Sequence, residues 1–316
     1  MRDPPRPSGA AVSLIAITGA TGFVGSAVLN AARSQGHQVR ALARRDQPAR
    51  GGVEWVRGDL ADTAALAALV QGAEAVIHVA GLTNTPDPAE FEVANVTGTA
   101  NVIAAMKEAG VKRLVFVSSL SARMPGLSVY GASKAKAETL VEASGLDWTT
   151  VRPPAVYGPR DIDMLDLFRS AKWGVVPLPP GGATSIIHAD DLADLLVALA
   201  GSNAAPTKKK IYEPDDGREG GWSHKELAQA IGQAMGKRSV FAPHLPRAVL
   251  DAAAAADRIA RGDRAKLTAD RVGYMCHPNW VARFDRKPPP GIWQPRIAGE
   301  EGLKATAEWY RREGWV

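Results

Sequence analysis

At 316 residues the chain is long for one domain and suits a large α/β unit carrying a smaller appendage. Hydrophobic residues at 46% and charged residues at 22% are ordinary globular values, which exclude a disordered chain. The net charge of +5 is scattered, with no basic stripe interleaved with aromatics, so nucleic acid is not an expected partner; the single Cys276 excludes an internal disulfide and the CxxC redox and multi-cysteine zinc patterns.

The opening "MRDPPRPSGA", residues 1–10, reads as a flexible tail without an apolar signal segment. The apolar stretch that follows is broken by Thr18, Gly19 and Gly22 before it could span a bilayer, so a cytoplasmic protein is expected. Strands are expected at 12–18, 38–43, 53–58, 75–80, 113–119 and 148–153, with helices near 23–35, 62–70, 90–109, 129–144 and 189–200. Such alternation specifies a Rossmann-type, doubly wound parallel sheet. After 200 the texture changes. Ser223 followed by Glu226 forms a capping box that opens a helix, an Ala-rich helix follows near 247–261, and a terminal helix reads in "GLKATAEWYRREGW". The expected organisation is a dinucleotide-binding domain of residues 11–156 plus 186–204, and a smaller, mostly helical substrate lobe of 157–185 plus 205–316.

"ITGATGFVGSAVL" joins the first strand to the first helix. Gly19, Gly22 and Gly25 give G-x-x-G-x-x-G, in which absent side chains let backbone N–H groups and the helix N-terminus approach a pyrophosphate. At the end of the second strand an acidic residue would accept from a ribose 2′-OH, whereas arginine accommodates a 2′-phosphate. Here Ala43 takes the acidic position and Arg44 and Arg45 follow, so NADP(H) is preferred over NAD(H), with Asp46 close enough to serve as an off-register ribose ligand. Asp59 either meets the adenine ring or caps the helix that begins at "TAALAALV".

In "SVYGASKAKAE", Tyr130 and Lys134 stand one helical turn apart on one face. A free phenol has a pKa of about 10, and a nearby ammonium lowers it. The pair therefore reads as a general acid/base, Tyr130, tuned by Lys134. Ser118 and Ser119 end the fifth strand, at the carboxyl edge where a doubly wound sheet keeps its site. His78 lies within a strand and reads as structural. His188, Asp190 and Asp191 have no further partner at zinc-like spacing, so no metal is expected.

With these motifs in order, the sequence resembles the extended short-chain dehydrogenase/reductases, the NAD(P)-dependent epimerase/dehydratase family. "TGATGFVG", "HVAG", "NVTGTANV" with Asn95, "VSSLSA", the Y-x-x-x-K pair, "RPPAVYGPRD" and "IHADDLA" carry the resemblance through nearly the whole chain. It implies Ser119, Tyr130 and Lys134 as catalytic residues, with Ser119 holding the substrate oxygen and Lys134 also binding the nicotinamide ribose. It implies a cofactor site of Thr18, Gly19, Thr21, Gly22, Phe23, Val24, Gly25, Arg44, Arg45, Asp59, Leu60, Ala80, Gly81, Asn95, Ser118, Lys134, Pro153 and Pro154. It makes Asp191 an anchor at a helix start, and Tyr157 and Arg160 substrate contacts beside Ser119. A homodimer paired through helices at 98–109 and 132–143 is a further expectation.

Two departures weigh against a nucleotide-sugar substrate: only ten residues separate Ser119 from Tyr130, and Ala155 replaces an asparagine frequent in the sugar enzymes. The apolar "WGVVPLPPGG" is expected to border a pocket for a hydrophobic ketone or secondary alcohol. The expected activity is NADP(H)-dependent oxidoreduction. The alternatives are an epimerase or dehydratase with retained NAD(P), and a non-catalytic dinucleotide-binding subunit or sensor.

Overall fold

A computed structural model describes residues 13–202 and 205–316. The expected tail 1–10 and residue 204, where the first domain was expected to end, lie outside the described residues. Strands β1 (Leu14–Thr18), β2 (Gln38–Ala43), β3 (Val53–Arg57), β4 (Ala75–His78), β5 (Arg113–Val117) and β6 (Asp147–Val151) form the main sheet. β7 (Ala155–Tyr157), β8 (Ala183–Thr184) and β9 (Ile186–His188) follow outside it, and β10 (Lys210–Tyr212) returns to its edge. The strand order is β10-β6-β5-β4-β1-β2-β3, with every pairing parallel. The order reverses between β1 and β4, the point in a doubly wound sheet where a crevice opens beyond the strand ends.

Helices α1 (Phe23–Ser34), α2 (Thr63–Val70), α3 (Ala89–Phe91), α4 (Gly98–Glu108), α5 (Val129–Ala143), α6 (Leu165–Lys172) and α7 (Ala189–Gly201) follow in chain order. A π-helical turn, Glu92–Thr97, joins α3 to α4. Alternate residues of each strand face opposite layers, as the two-residue strand period requires. Ile15, Ile17 and Val115 join α1 and α7, whereas Ala16, Leu114 and Phe116 join α2, α4 and α5. That sandwich fixes the strand ends from both faces, and hence the loops that leave them.

The remainder carries α8 (His224–Ala234), α9 (Arg247–Arg261), α10 (Ala269–Met275) and α11 (Gly299–Arg312), with β11 (Trp222–Ser223) and β12 (Asn279–Trp280) flanking β8. The capping box forms as expected: the Ser223 hydroxyl accepts from Glu226 N at 3.2 Å while the Glu226 carboxylate accepts from Ser223 N at 2.9 Å. Tyr157, Phe168, Trp222, Ile231, Leu303 and Tyr310 fill a separate core.

Two expectations are revised. The last strand of the main sheet comes from 210–212, inside the stretch assigned to the substrate lobe; its three residues sit among lysines and turn formers and carry no periodic signal. In "WGVVPLPPGG", expected to border the substrate pocket, apolar side chains pack the lobe core instead. The segment pairs with 241–245, which sends Val176 and Leu178 into the lobe core and leaves Trp173 and Val175 exposed.

Candidate active site

The β1–α1 turn is made by glycine geometry. Gly19 adopts φ +74°, and a Cβ there would lie 2.7 Å from Ala80 N. A Cβ on Gly25 would overlap the Gly19 carbonyl oxygen, so the helix can lie this close to the turn only without a side chain. Gly22 is the N-cap of α1, and no side chain caps the helix. Its first amide groups are left for an outside acceptor, a cradle that fits a pyrophosphate.

At the far end of this edge, Arg44, Arg57, Gly58, Asp59 and Asp62 line a cavity of about 380 Å³. Arg57 was not singled out in the sequence because it closes β3, a strand away from the arginine pair. Asp46 ion-pairs with Arg57 at 3.5 Å. The helix cap is Asp62, accepting from Ala65 N at 2.9 Å, whereas Asp59 accepts from Ala61 N at 2.8 Å and keeps its place on the cavity wall. Leu60 is held through its carbonyl by Asn101, and its side chain meets the Cα side of Gly98. Arg45 is exposed.

Across the switch point, His78 is buried and fully bonded, as a structural histidine should be. Its Nδ1 lies 2.6 Å from Thr18 Oγ1 and its Nε2 3.0 Å from Thr99 Oγ1. Thr99 donates its own proton to Asn95 O, so it accepts from His78 Nε2–H, and Thr18 donates to Nδ1. Thr18 Oγ1 in turn accepts from Ala80 N. Burial, reinforced by the Lys134 charge, pushes the imidazole down to about 3. The ring is therefore neutral at physiological pH.

Asn95, in the π-helical turn, ties the cofactor edge to the tyrosine helix. Its Oδ1 accepts from Leu82 N at 2.8 Å, and its Nδ2 donates to Leu82 O and to Ser133 Oγ, each at 2.9 Å. Gly81 leaves room for this amide: a Cβ there would stand 2.7 Å from Asn95 Oδ1.

Ser128 caps α5 by accepting from Gly131 N at 2.9 Å, and this starts the helix one residue before Tyr130. Tyr130 and Lys134 are both buried on its inner face. Lys134 Nζ donates to Val117 O at 2.8 Å and rests 4.6 Å from the centre of the Phe116 ring. Burial lowers its ammonium to about 8, with Glu138 opposing the shift. Tyr130 moves opposite to expectation: burial raises its phenol above the ordinary value, outweighing hydrogen bonding from Ser119 and Ser121. Lys134 places one of its three N–H groups on the β5 carbonyl. The Ser119 hydroxyl accepts from Ser121 N at 3.2 Å, and Ser119 and Ser121 both come close enough to the phenol to oppose its rise, whereas the buried Ser118 hydroxyl has no protein partner. Serine hydroxyls beside a buried phenol can donate to an incoming acceptor. Ser121 reaches the phenol through the 3₁₀ turn Leu120–Arg123. Pro153 closes the floor, its carbonyl accepting from Leu120 N at 3.1 Å, with Pro154 half-buried behind it.

The lobe completes the site with residues the sequence did not mark. Asp270, in the first turn of α10, accepts from Val129 N and Tyr130 N at the start of α5. The Tyr274 ring stands 6.0 Å from that of Tyr130, and Phe91 lies 5.8 Å from it on another side. Arg271 pairs with Asp163 at 3.1 Å. Asp161 is buried nearby, its carboxyl raised to about 7 by burial despite hydrogen bonds from Asp163 N and Met164 N.

Neither of the two outlying substrate contacts joins this group. Tyr157 is fully buried, its hydroxyl donating to Gly299 O at 3.4 Å and its ring edge-on to His188; it packs the lobe core. Arg160, at φ +76°, reaches Ser26 Oγ of α1 at 3.1 Å, on the glycine-loop side of the cleft. His188 caps α7 through Asp190 N, and Asp191 anchors the 296–297 segment by accepting from Arg296 N and Ile297 N.

Comparison with known proteins agrees with this geometry. Residues 19–203 match the NAD(P)H-binding family. The chain is 33% identical to a ceramide reductase of Caulobacter vibrioides, covering 96% of both chains. It is 30% identical to a 2-alkyl-3-oxoalkanoate reductase of Stenotrophomonas maltophilia, covering 95% of this chain and 91% of that one. The crystal structure of gox2253 shares the fold with a TM-score of 0.76 at 24% identity, covering 97% of this chain and 100% of that one. A glycine cradle at the switch point of a parallel sheet, a nicotinamide-cofactor family match and two reductases aligned over nearly their whole length lead to one conclusion: the chain belongs to the NAD(P)H-binding family, as an enzyme of the extended short-chain dehydrogenase/reductase kind.

Proposed function

We propose that this enzyme is an NADPH-dependent ketoreductase that converts a ketone on an acyl-chain substrate to a secondary alcohol. The observation that carries the reading is the placement of Tyr130: a buried phenol one helical turn from buried Lys134 and beside Ser119 and Ser121 at the carboxyl edge of the sheet, with burial keeping its proton on. Such a group is poised to give a proton rather than to take one. The reduced nicotinamide, when bound, supplies the hydride. Ser119 and Ser121 hold the carbonyl oxygen by hydrogen bonds that strengthen as negative charge develops on it. Tyr130 passes its proton to that oxygen as the alkoxide forms. Lys134 contributes positive charge below the phenol and a donor toward the cofactor ribose.

Arg44 and Arg57 support the preference for NADPH, since two guanidiniums on one cavity wall suit a 2′-phosphate. The names of the two reductase relatives support an acyl-chain ketone, and the aromatic rings of Phe91 and Tyr274 beside Tyr130 agree.

The test is absorbance at 340 nm with wild type and Tyr130→Phe, offering NADPH or NADH and a panel of 3-oxoacyl, lipid and nucleotide-sugar ketones. Wild type is expected to consume NADPH with an acyl-chain ketone, and Tyr130→Phe to lose about 10²- to 10⁴-fold in kcat. Equal turnover by both proteins would overturn the role of Tyr130. Sugar-nucleotide conversion without net NADPH use would replace the ketoreductase with an epimerase.

A further inference from the structure

At the outer end of the lobe, residues 173–178 run parallel to 241–245. Phe241 N donates to Gly174 O at 2.8 Å and Val176 N to Phe241 O at 2.9 Å, which sets Val175 directly opposite Phe241. Strand alternation turns Val176 and Val240 into the lobe core and their neighbours outward. The result is an exposed apolar tip: Trp173 is 83% exposed, Phe241 70% and Val175 40%. Large aromatics are rarely left this open on a soluble surface without a partner.

The charge of the two segments that build the tip is one-sided. The segments 167–189 and 227–250, which build the tip, contain Arg169, Lys172, Lys237, Arg238 and Arg247 and no aspartate or glutamate. Arg169 and Arg247 pair with Asp166 and Asp251. Lys172, Lys237 and Arg238 form no ion pair among the described residues and flank the aromatics. Trp and Phe ringed by uncompensated lysine and arginine match the interfacial layer of an anionic bilayer, where rings enter the acyl boundary and cations meet headgroup phosphates.

We propose that Trp173, Val175 and Phe241, with Lys172, Lys237 and Arg238, form a membrane-contact surface for anionic lipid. The tip is continuous with the cover of the active site. Leu245 leads into α9, whose buried Leu250 and Ala254 pack on Val272 of α10, and α10 holds the start of α5 through Asp270. Seated this way, the lobe that covers Tyr130 would rest on the phase that contains acyl-chain substrates. That purpose rests on the ketoreductase reading, but the binding itself is measured without turnover, so either can fail alone.

The experiment is co-sedimentation of the full chain with vesicles of phosphatidylcholine alone or mixed with phosphatidylglycerol, at low and high salt. Wild type is expected to bind the mixed vesicles, lose binding in high salt and ignore the neutral ones. The double variant Trp173→Ala/Phe241→Ala is expected to bind at least about tenfold more weakly. Lys172→Glu/Lys237→Glu/Arg238→Glu should abolish binding. All these positions are exposed, and turnover of a short, water-soluble ketone should be unchanged in every variant. Wild type that ignores anionic vesicles, or variants that bind as well as wild type, would overturn the proposal. So would light scattering that shows a wild-type dimer dissociated by Trp173→Ala/Phe241→Ala, since the tip would then join two copies of the chain.

Discussion

The two walls of the cleft are built on different principles. On the cofactor side the backbone does the shaping: Gly19, Gly22 and Gly25 matter for atoms they lack, and all lie within one turn. On the substrate side the site is assembled from side chains far apart in the chain, namely Ser119, Ser121, Tyr130, Asp163, Asp270 and Tyr274, and is held by their mutual contacts. A wall made of missing atoms has no tolerance for additions. A wall made of contacts can lose one and be partly repaired.

That contrast is sharpest in Gly25→Ala. Its methyl would overlap the Gly19 carbonyl, backbone against backbone, with nothing flexible to yield. Overpacking of this kind costs about 1–3 kcal/mol, so NADPH binding measured by fluorescence titration should weaken by about 10- to 100-fold. Unchanged affinity would show that the turn can open without harm.

Asp270→Ala tests the opposite wall. Removing a carboxylate that accepts from two α5 amides costs about 1 kcal/mol of capping, expected as a roughly fivefold drop in kcat with NADPH affinity intact. Asp270→Asn, which still presents one acceptor oxygen, should recover part of it. If Ala and Asn behave alike, the contact is packing alone.

The smallest effect is in pH. Lys134 is lowered to about 8 by burial, so it is an ammonium below that value and neutral above it. Wild-type kcat/KM should therefore fall as pH rises through about 8. Lys134→Arg, charged throughout, should lack that limb whatever its absolute rate. A limb that survives the substitution belongs to another group.

What could be read from the sequence follows the same division. The glycine loop and the Tyr130–Lys134 pair are local patterns, found between β1 and α1 and on one face of α5, whereas Ser119, expected to end the fifth strand, lies two residues beyond β5 at the head of a 3₁₀ turn. The three-residue β10 carries too few positions to show a period. "WGVVPLPPGG" reads as pocket lining from its composition, but its facing depends on pairing with 241–245, which composition does not encode. Asp270 and Tyr274 are ordinary helix residues until the fold brings them to α5, more than a hundred positions away in the chain. The direction of the Tyr130 shift also escaped, because spacing fixes which face Lys134 occupies but not how deeply the fold buries the phenol.

The polar chain through His78 has one more consequence. Ala80 N–H points to Thr18, Thr18 to His78, His78 to Thr99 and Thr99 to the Asn95 carbonyl, so four successive bonds share one orientation and end on the residue that braces the tyrosine helix. None of the four can be turned round alone, since an amide N–H fixes one end and a carbonyl oxygen the other. The chain acts as a ratchet of dipoles with a single setting, and because burial pushes its imidazole down to about 3, it holds that setting through neutral pH.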